Sequence, residues 1–297
     1  MPVTLYGARI LKDLSNQELR VLNMVETLLK KGEYAPVEKI VSYSGYTEKE
    51  VSFIISKLNK NKMVRRWTGQ FVGYTLTYAG FDALALNSLY NKNIVAGVGR
   101  AKGVGKESDI YYAIDFEENE IMLKINRTGR ASFQQVKKRR DLLKGKFHYS
   151  VFSLAELSAK REFEILTKLQ DSKLPIPKVL GHNRHIFAMN IIEGQELINV
   201  QNLKKPLKTL EKIIKYAKVL YNEYHIVHAD LTEYNILYDE NKDSIAIIDF
   251  PQAIGTDHPD ADIILERDFA HLFDYFRKKW FISPEVEDVV EYIIGKK

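Results

Sequence analysis

The chain carries the sequence HADLTEYN at residues 228–235 and IIDF at residues 247–250. Asp230, Asn235 and Asp249 therefore follow one another as carboxylate, amide and carboxylate. Phosphoryl transfer from a nucleotide uses such a trio, because one carboxylate orients the attacking group while an amide oxygen and a second carboxylate hold Mg²⁺ on the phosphates. Each acid alone would be read as an ordinary solvated loop residue, but the ordered set favours the catalytic interpretation.

The residues between Asn235 and Asp249 predict a β-hairpin. Apolar runs at 236–238 and 244–248 flank the turn-rich sequence DENKD at 239–243. A hairpin of this length brings Asn235 and Asp249 to the same end, where one metal ion could contact both. We therefore predict a magnesium site there.

The composition is that of a globular protein with room for two or three modules. The chain has 297 residues, of which 45% are hydrophobic and 28% are charged. We expect no membrane partner, because no apolar run approaches the roughly 20 residues of a membrane span and no signal peptide is evident. Cysteine is absent, which excludes disulfide-linked partners and thiolate chemistry. The sequence predicts a cytoplasmic protein, and its net charge of +5 makes a polyanionic partner a hypothesis.

Residues 1–90 predict a winged helix-turn-helix domain. Ser15 with Glu18 and Thr47 with Glu50 have capping-box spacing, which marks two helix starts. A glycine turn at Gly45 separates the last two helices. The predicted elements are a helix from residue 15 to residue 32, a helix at 35–43, a helix opened at residue 47, and a hairpin of strands 63–67 and 71–76.

Basic residues cluster where the last of these helices meets the hairpin. Such a cluster suits a phosphate backbone of rRNA or DNA, since nothing in it specifies base recognition. A protein docking surface or an ordinary solvated face remains an alternative. The candidate nucleic-acid contacts are Lys57, Lys60, Lys62, Arg65 and Arg66.

Residues 91–189 predict a nucleotide-binding lobe. The sequence GVGKES at 103–108 leads into the strand DIYYAI at 109–114. It cannot be a Walker loop, because Arg100 occupies the position of the first glycine. A glycine loop before a strand instead resembles the one that covers ATP in protein kinases. Lys124, on the next strand, and Glu162, on a later helix, match the kinase lysine and its ion-pair partner.

A hinge and a short second lobe follow. We expect backbone groups of Asn190 and Ile192 to bind adenine, with Met189 behind the ring. Residues 190–297 predict a truncated second lobe, with an amphipathic helix near 207–221, a loop at 251–264, and helices at 265–281 and 284–295. The fold class is therefore α+β, a winged helix-turn-helix followed by a bilobal kinase-like domain.

A second basic segment lies at residues 125–148. It is either a solvated insertion or a further strip for polyanions, and we favour the strip. Its basic residues are Arg127, Arg130, Lys137, Lys138, Arg139, Arg140, Lys144 and Lys146.

Together these motifs resemble the RIO atypical serine/threonine kinases, and the N-terminal winged helix looks like that of the second, archaeal-like RIO subfamily. The resemblance implies ATP and Mg²⁺ as ligands, with Mn²⁺ as a substitute. It also implies work on the maturing small ribosomal subunit and its rRNA, as a monomer that phosphorylates itself or acts as an ATPase. The residues that it implies for ATP are Gly103, Gly105, Lys106, Glu107, Ser108, Lys124, Glu162, Met189, Asn190 and Ile192.

The same resemblance implies that Asp230 is the catalytic aspartate and that Asn235 and Asp249 hold the metal. Asp249 could also accept a phosphoryl group transiently. The chain departs from ordinary kinases at Ala229, where they have arginine, and at Pro251, where they have glycine. Two other classes remain open: a small-molecule phosphotransferase of the aminoglycoside or choline kinase type, and an rRNA-binding assembly factor that uses ATP only as a clamp.

Overall fold

The computed structural model of the chain describes residues 13–127 and 151–295. The predicted contacts at Lys137, Lys138, Arg139 and Arg140 lie outside these residues. The helices are α1 (Asn16–Leu29), α2 (Val37–Ser44), α3 (Glu48–Lys60), α4 (Tyr78–Asn91), α5 (Val151–Lys168), α6 (Pro206–Asn222), α7 (Ala261–Trp280) and α8 (Val286–Ile294).

In the part of the chain that the structure describes, the strands are short and are distributed over four sheets. They are β1 (Ala35–Pro36), β2 (Val64–Thr68), β3 (Val72–Leu76), β4 (Gly97–Val104), β5 (Ser108–Ile114), β6 (Glu120–Asn126), β7 (Val179–Asn183), β8 (Ile186–Asn190), β9 (Gln195–Glu196), β10 (Ile226–Val227), β11 (Ile236–Asp239), β12 (Ser244–Ile247) and β13 (Ile254–Gly255). Among the described helices, none is long and apolar enough to cross a membrane.

The chain separates into two compact units. The first comprises Met1–Lys160 and Leu180–Met189, and the second comprises Arg161–Val179 and Asn190–Lys297. The change from the first unit to the second after Met189 falls where the sequence predicts the hinge. The predicted domains 1–90 and 91–189 both lie largely in the first unit.

The N-terminal part of the first unit is the predicted winged helix. Helices α1, α2 and α3 pack with the small sheet β1-β3-β2 around a common apolar core. Both predicted capping boxes are confirmed, at Ser15 with Glu18 and at Thr47 with Glu50. The prediction of helix at residues 35 and 36 was wrong. Ala35 instead pairs with Tyr74 of β3, and Pro36, whose ring removes a donor, has the extended backbone of a helix cap.

Helix α4 (Tyr78–Asn91) has no counterpart in the sequence-based prediction. Residues 79–86 are all buried, so the helix is buried on nearly every side and lacks the 3.6-residue periodicity by which surface helices are recognised. Its first half belongs to the winged-helix core, through Phe81 and Leu84, and its second half belongs to the next core, through Ala85 and Leu89. One helix thus contributes to two cores.

The rest of the first unit is built on a five-stranded sheet of order β4-β5-β6-β8-β7. Strands β4, β5 and β6 are consecutive and antiparallel, and Ile110 of β5 lies opposite Lys124 of β6. Strand β6 is buried from Ile121 to Asn126. Lys124 therefore lies in a buried strand.

The second unit contains the predicted hairpin. Strands β11 and β12 pair with Ile236 opposite Ile247, and β9 adds to the outer edge of β11. Helix α6 agrees with the prediction, and Pro206 occupies its first turn, where a missing N–H costs nothing. Helix α7 begins at Ala261, so the prediction of loop at 261–264 was wrong. Its first turn includes Asp262, an acid that favours a helix N-terminus.

Candidate active site

The loop at 228–235 brings Asp230 and Asn235 into direct contact. The amide nitrogen Nδ2 of Asn235 donates to the backbone oxygen of Asp230 at 2.8 Å and to its carboxylate at 3.0 Å. The backbone N–H of Asn235 donates to the carbonyl of Thr232, which closes the loop as a compact turn. Since the amide nitrogen is used in this way, the amide oxygen is the atom of Asn235 that suits a metal ion.

The hairpin places Asp249 beside the same loop. Immediately before Asp249, the N–H of Ile248 donates to the carbonyl of Asn235 at 3.0 Å. The backbone of Asp249 is left-handed, with φ of 70°, a conformation that few non-glycine residues adopt and that recurs at active sites. The structure thus confirms the predicted hairpin and brings Asp230, Asn235 and Asp249 to one place in the second unit.

The two carboxylates influence each other. Loss of water around Asp230 raises the pKa of its carboxyl, and the negative charge of Asp249 raises it further. The hydrogen bond from Asn235 and the charges of Arg267 and His271 oppose this rise. A divalent cation bound by this loop would relieve the repulsion between the two acids.

Helix α7 supports the loop through residues that the sequence analysis missed. Arg267 donates through Nη2 to the carbonyl of Ala229 at 2.6 Å. Its buried neighbour Asp268 accepts a hydrogen bond from the N–H of Leu231, and burial raises the pKa of the Asp268 carboxyl. Arg267 thus places an arginine against the backbone of Ala229, and it lies 38 residues away, so no local motif could have revealed it.

Two side chains of helix α5 form hydrogen bonds with the backbone of the segment that follows Asp249. Glu162, which is buried, accepts a hydrogen bond from the N–H of Phe250 at 3.2 Å. The preceding residue, Arg161, donates through Nη2 to the carbonyl of Ala253 at 2.6 Å. Two adjacent side chains of one helix therefore hold the backbone that carries Asp249. The predicted ion pair of Glu162 with Lys124 stays a prediction.

Replacing Arg161 with methionine tests this clamp. We expect the Mg²⁺ concentration for half-maximal turnover to rise roughly tenfold, because a hydrogen bond from a charged donor contributes about 1.5–3 kcal/mol to holding the Asp249 segment. Magnesium titrations of initial rate measure the effect. Lys168→Met is the matched control, since Lys168 also lies on α5 and donates to a backbone carbonyl, that of Tyr224. An equal effect in both variants would contradict a specific role for Arg161.

In the first unit, the predicted glycine loop is a tight turn between β4 and β5. The N–H of Gly105 donates to the carbonyl of Ser108 at 2.8 Å, and a Cβ added to Gly105 would meet that oxygen at 2.9 Å. Gly103 has open space around it, so sterics do not explain that glycine. Lys106 and Glu107 are exposed at the turn. The residues of the turn from Gly103 to Glu107 are exposed, as a loop that receives phosphates must be.

In the structure, one of the hinge groups that were predicted to bind adenine is already hydrogen-bonded within the protein. The N–H of Asn190 donates to the carbonyl of Lys178 at 2.9 Å, and the Asn190 side chain accepts from the N–H of Lys178. This N–H is therefore already used, and the carbonyl of Asn190 is the group that suits adenine. Met189 is buried and Ile192 is partly buried.

The donor set suits magnesium better than zinc. Within residues 13–127 and 151–295, no three histidines or acids come together as a metal cluster. Asn235 and Asp249 instead offer two oxygen ligands, and Mg²⁺ is usually held by one or two carboxylates together with substrate phosphates. The residues present therefore fit an ion that arrives with a nucleotide.

The predicted basic contacts divide into three groups. Lys60, Lys62, Arg65 and Arg66 are exposed, whereas Lys57 forms an ion pair with Glu18 at 2.9 Å. The assignment of Arg127 to a basic surface strip was wrong: its side chain is fully buried and paired with Asp82 and Asp109. The partners lie 45 and 18 residues away, and this explains why sequence proximity to other basic residues was misleading.

The first unit carries a winged helix, a glycine turn and a buried lysine on a five-stranded sheet, and the second unit carries an Asp-Asn-Asp loop. These features define a protein with a kinase-like domain after a winged helix. Comparison with family models gives the particular family. The model described as RIO domain matches residues 109–289, and the one described as Rio2, N-terminal, matches residues 11–92. The chain therefore belongs to the RIO domain family and carries the Rio2 N-terminal domain.

Similar proteins agree with this assignment. The chain is 38% identical to the RIO-type serine/threonine-protein kinase Rio2 of Methanocaldococcus jannaschii, over 88% of this chain and 98% of that protein. It is 33% identical to the serine/threonine-protein kinase RIO2 of Caenorhabditis elegans over 94% of this chain, but it spans only 54% of that longer protein.

Solved structures show the same fold. The Rio2 kinase from Chaetomium thermophilum matches with a TM-score of 0.81 and 31% identity, over 98% of this chain and 89% of that one. A second crystal structure, of the Rio2 kinase–ADP/Mg²⁺–phosphoaspartate complex from the same organism, matches with a TM-score of 0.80 and 29% identity over the same shares.

Proposed function

We propose that this chain is an ATP- and Mg²⁺-dependent atypical serine/threonine protein kinase that also hydrolyses ATP. The observation that carries the proposal is the contact of Asn235 with Asp230 beside Asp249, which joins a catalytic carboxylate to two oxygen ligands. The names of the relatives as serine/threonine kinases support it. So does the complex of the Chaetomium protein with ADP and Mg²⁺.

Each residue has a distinct role in this proposal. Asp230 orients the attacking hydroxyl group or water and accepts its proton. Asn235 and Asp249 hold Mg²⁺, which neutralises charge on the phosphates. Lys124 and the backbone of the turn at residues 103–108 hold the phosphates, and the carbonyl of Asn190 accepts from the adenine amino group.

ATP hydrolysis could proceed through Asp249 itself. A carboxylate oxygen of Asp249 attacks the γ-phosphorus, the bond from that phosphorus to the β–γ bridging oxygen breaks, and ADP leaves with the electron pair. Water then attacks the phosphorus, which restores the carboxylate and releases inorganic phosphate. The phosphoaspartate in the Chaetomium complex supports such an intermediate. The left-handed backbone of Asp249 and the clamp from α5 would hold the carboxylate in place for both steps.

We further propose that the protein acts in the cytoplasm, as a monomer, on the maturing small ribosomal subunit. The winged helix with its exposed Lys60, Lys62, Arg65 and Arg66 would contact the rRNA backbone. Nucleotide state at the active site would then set the affinity for the particle, as in other switches that respond to the γ-phosphate.

The rRNA contact has a measurable salt dependence. Binding of the wild type to an rRNA fragment should weaken steeply with salt, and the double variant Arg65→Gln, Arg66→Gln should reduce the log–log slope by about 1.5, since each phosphate contact contributes roughly 0.7–0.9. Fluorescence anisotropy at several salt concentrations measures the slope. The control variant Lys30→Gln, Lys31→Gln removes equal charge from the same domain outside the candidate cluster. A flat response of the wild type would contradict the contact.

A γ-phosphate balance tests the proposed function. Mg²⁺-ATP labelled at the γ-phosphate is incubated with wild type and Asp230→Asn, with and without immature small-subunit particles, and free and protein-bound phosphate are recorded separately. Free phosphate that particles stimulate and the variant lacks would support an ATPase switch, and stable transfer to a particle protein would support a kinase. Turnover that is unchanged in Asp230→Asn would remove the residue on which the proposal depends.

A further inference from the structure

A fully buried ionic cluster surrounds Arg127 at the end of β6. Its guanidinium donates to both carboxylate oxygens of Asp82 at 2.6 Å each and through Nε to Asp109 at 3.1 Å. The exposed fraction of Arg127 is 0%, and that of Asp82 is also 0%. A buried charge of this kind persists only where its partners fix it, so the guanidinium has a well-defined position.

His185 completes the cluster as a neutral group. Its Nε2 lies 2.7 Å from an oxygen of Asp82, and its ring stacks on Phe81 at 4.3 Å. Burial alone would raise the pKa of Asp82, but hydrogen bonds from Arg127 and His185 outweigh it and lower the value to about 2. Because an ionised carboxylate only accepts, Nε2 of His185 carries the proton. Burial lowers the pKa of His185, which keeps the ring uncharged at neutral pH.

The members of the cluster come from two sequence families. Asp82 lies on α4, within the part of the chain that matches the Rio2 N-terminal model, whereas Asp109, Arg127 and His185 lie within the RIO domain match. The cluster is thus a polar joint between the winged helix and the five-stranded sheet, at the middle of the helix that contributes to both cores.

Arg127 is also hydrogen-bonded to the end of the glycine turn, through both its backbone and its side chain. Its backbone N–H donates to the carbonyl of Glu107 at 2.6 Å, and its side chain holds Asp109, the residue after Ser108. The preceding residue, Asn126, pairs across the ladder with Ser108. The far end of the turn at 105–108 is therefore attached to Arg127 through both its backbone and its side chain.

We propose that Arg127 is a positioning residue for the glycine turn, and that Asp82 of the winged-helix domain holds it in place for binding the phosphates. The winged helix is then part of the nucleotide-binding apparatus and not only a docking module. This inference rests on the proposed function, because it assigns the glycine turn to a nucleotide.

The alternative is a cluster that only stabilises the fold. The chain offers a control that separates the two, because a second arginine–carboxylate pair joins the winged helix to the sheet. Arg184, between β7 and β8, donates through Nε and Nη2 to the two carboxylate oxygens of Glu26 on α1, at 2.6 and 2.7 Å. This pair links the same two parts of the chain and does not include the glycine turn.

The experiment compares the full-length wild type with Asp82→Asn and Glu26→Gln. Each substitution keeps the size of the side chain and an oxygen acceptor while it removes one charge. Isothermal titration gives the affinity for Mg²⁺-ADP, thermal unfolding gives stability, and hydrogen exchange without nucleotide follows the amides of residues 103–108. If Asp82→Asn is obtained only unfolded, Arg127→Lys replaces it, since lysine keeps the charge but cannot hold both acids.

Positioning predicts that Asp82→Asn weakens Mg²⁺-ADP binding at least tenfold and speeds exchange at 103–108, while Glu26→Gln changes neither. Unchanged affinity and exchange in a less stable Asp82→Asn would overturn the inference, and so would equal effects in both variants. Wild type that does not bind Mg²⁺-ADP would contradict the proposed function instead. In that case the exchange data alone decide whether Arg127 positions the turn.

Discussion

Replacing Asp249 with asparagine should abolish both Mg²⁺-dependent nucleotide binding and turnover. Asparagine keeps the shape of the side chain but supplies no negative charge, so one of the two oxygen ligands is weakened and the proposed phosphoryl acceptor is removed. We expect turnover to fall by more than about 1,000-fold, on the order of 4 kcal/mol of transition-state stabilisation. Initial rates and titrations of ADP with and without Mg²⁺ measure the two losses.

Asp243→Asn provides the control for this variant. Asp243 lies at the opposite end of the β11–β12 hairpin, where it accepts from the hydroxyl of Tyr238 at 2.9 Å. The same change of charge in the same hairpin should leave turnover near that of the wild type. If Asp249→Asn retained the Mg²⁺ dependence of ADP binding, Asp249 would not be a metal ligand.

The substitution Asp230→Asn should separate catalysis from binding. Loss of the group that accepts the proton is expected to reduce turnover by roughly 100- to 10,000-fold. The affinity for Mg²⁺-ADP should stay equal or increase, because the negative charge of Asp249 raises the pKa of Asp230 and the variant removes that repulsion. The amide oxygen can still accept the hydrogen bond from Asn235, so the loop should keep its shape.

Single-turnover rates and isothermal titration measure these two effects. Glu233→Gln removes one acid from the same loop and serves as the control, with turnover close to the wild type. A variant Asp230→Asn that lost turnover and nucleotide affinity in equal proportion would indicate a damaged loop, and the assignment of Asp230 as the catalytic residue would then fail.

The proximity of Asp230, Asn235 and Asp249 could be predicted from sequence because the geometry that brings them together is local. Asp230 and Asn235 are five residues apart in one loop, and Asp249 follows a hairpin whose turn is evident in the sequence. The winged helix was predictable for the same reason, since capping boxes at Ser15 and Thr47 are short-range patterns. In each case, the residues that determine the structure lie within about one supersecondary motif of one another.

The features that sequence did not reveal depend on distant partners. Arg127 stands next to a basic segment, and only contact with Asp82, 45 residues away, shows that it is buried. Arg267 supports the catalytic loop from a helix that carries no motif. The N–H of Asn190 donates to the carbonyl of Lys178, which directly precedes β7. Helix α4 escaped prediction because it is buried on nearly all sides, which removes the periodic contrast that sequence analysis depends on.

The position of α4 also affects how this chain can be divided. The two family models meet in the interval between residues 92 and 109, yet the apolar contacts of α4 extend into both neighbouring cores. A recombination event at the family border would carry away the helix that fills the second core and would leave Arg127 without Asp82. The border between the two sequence families therefore does not coincide with a border between two separately packed cores. We therefore expect an exchange between relatives to preserve both cores only when the winged helix and the sheet beside it are exchanged together.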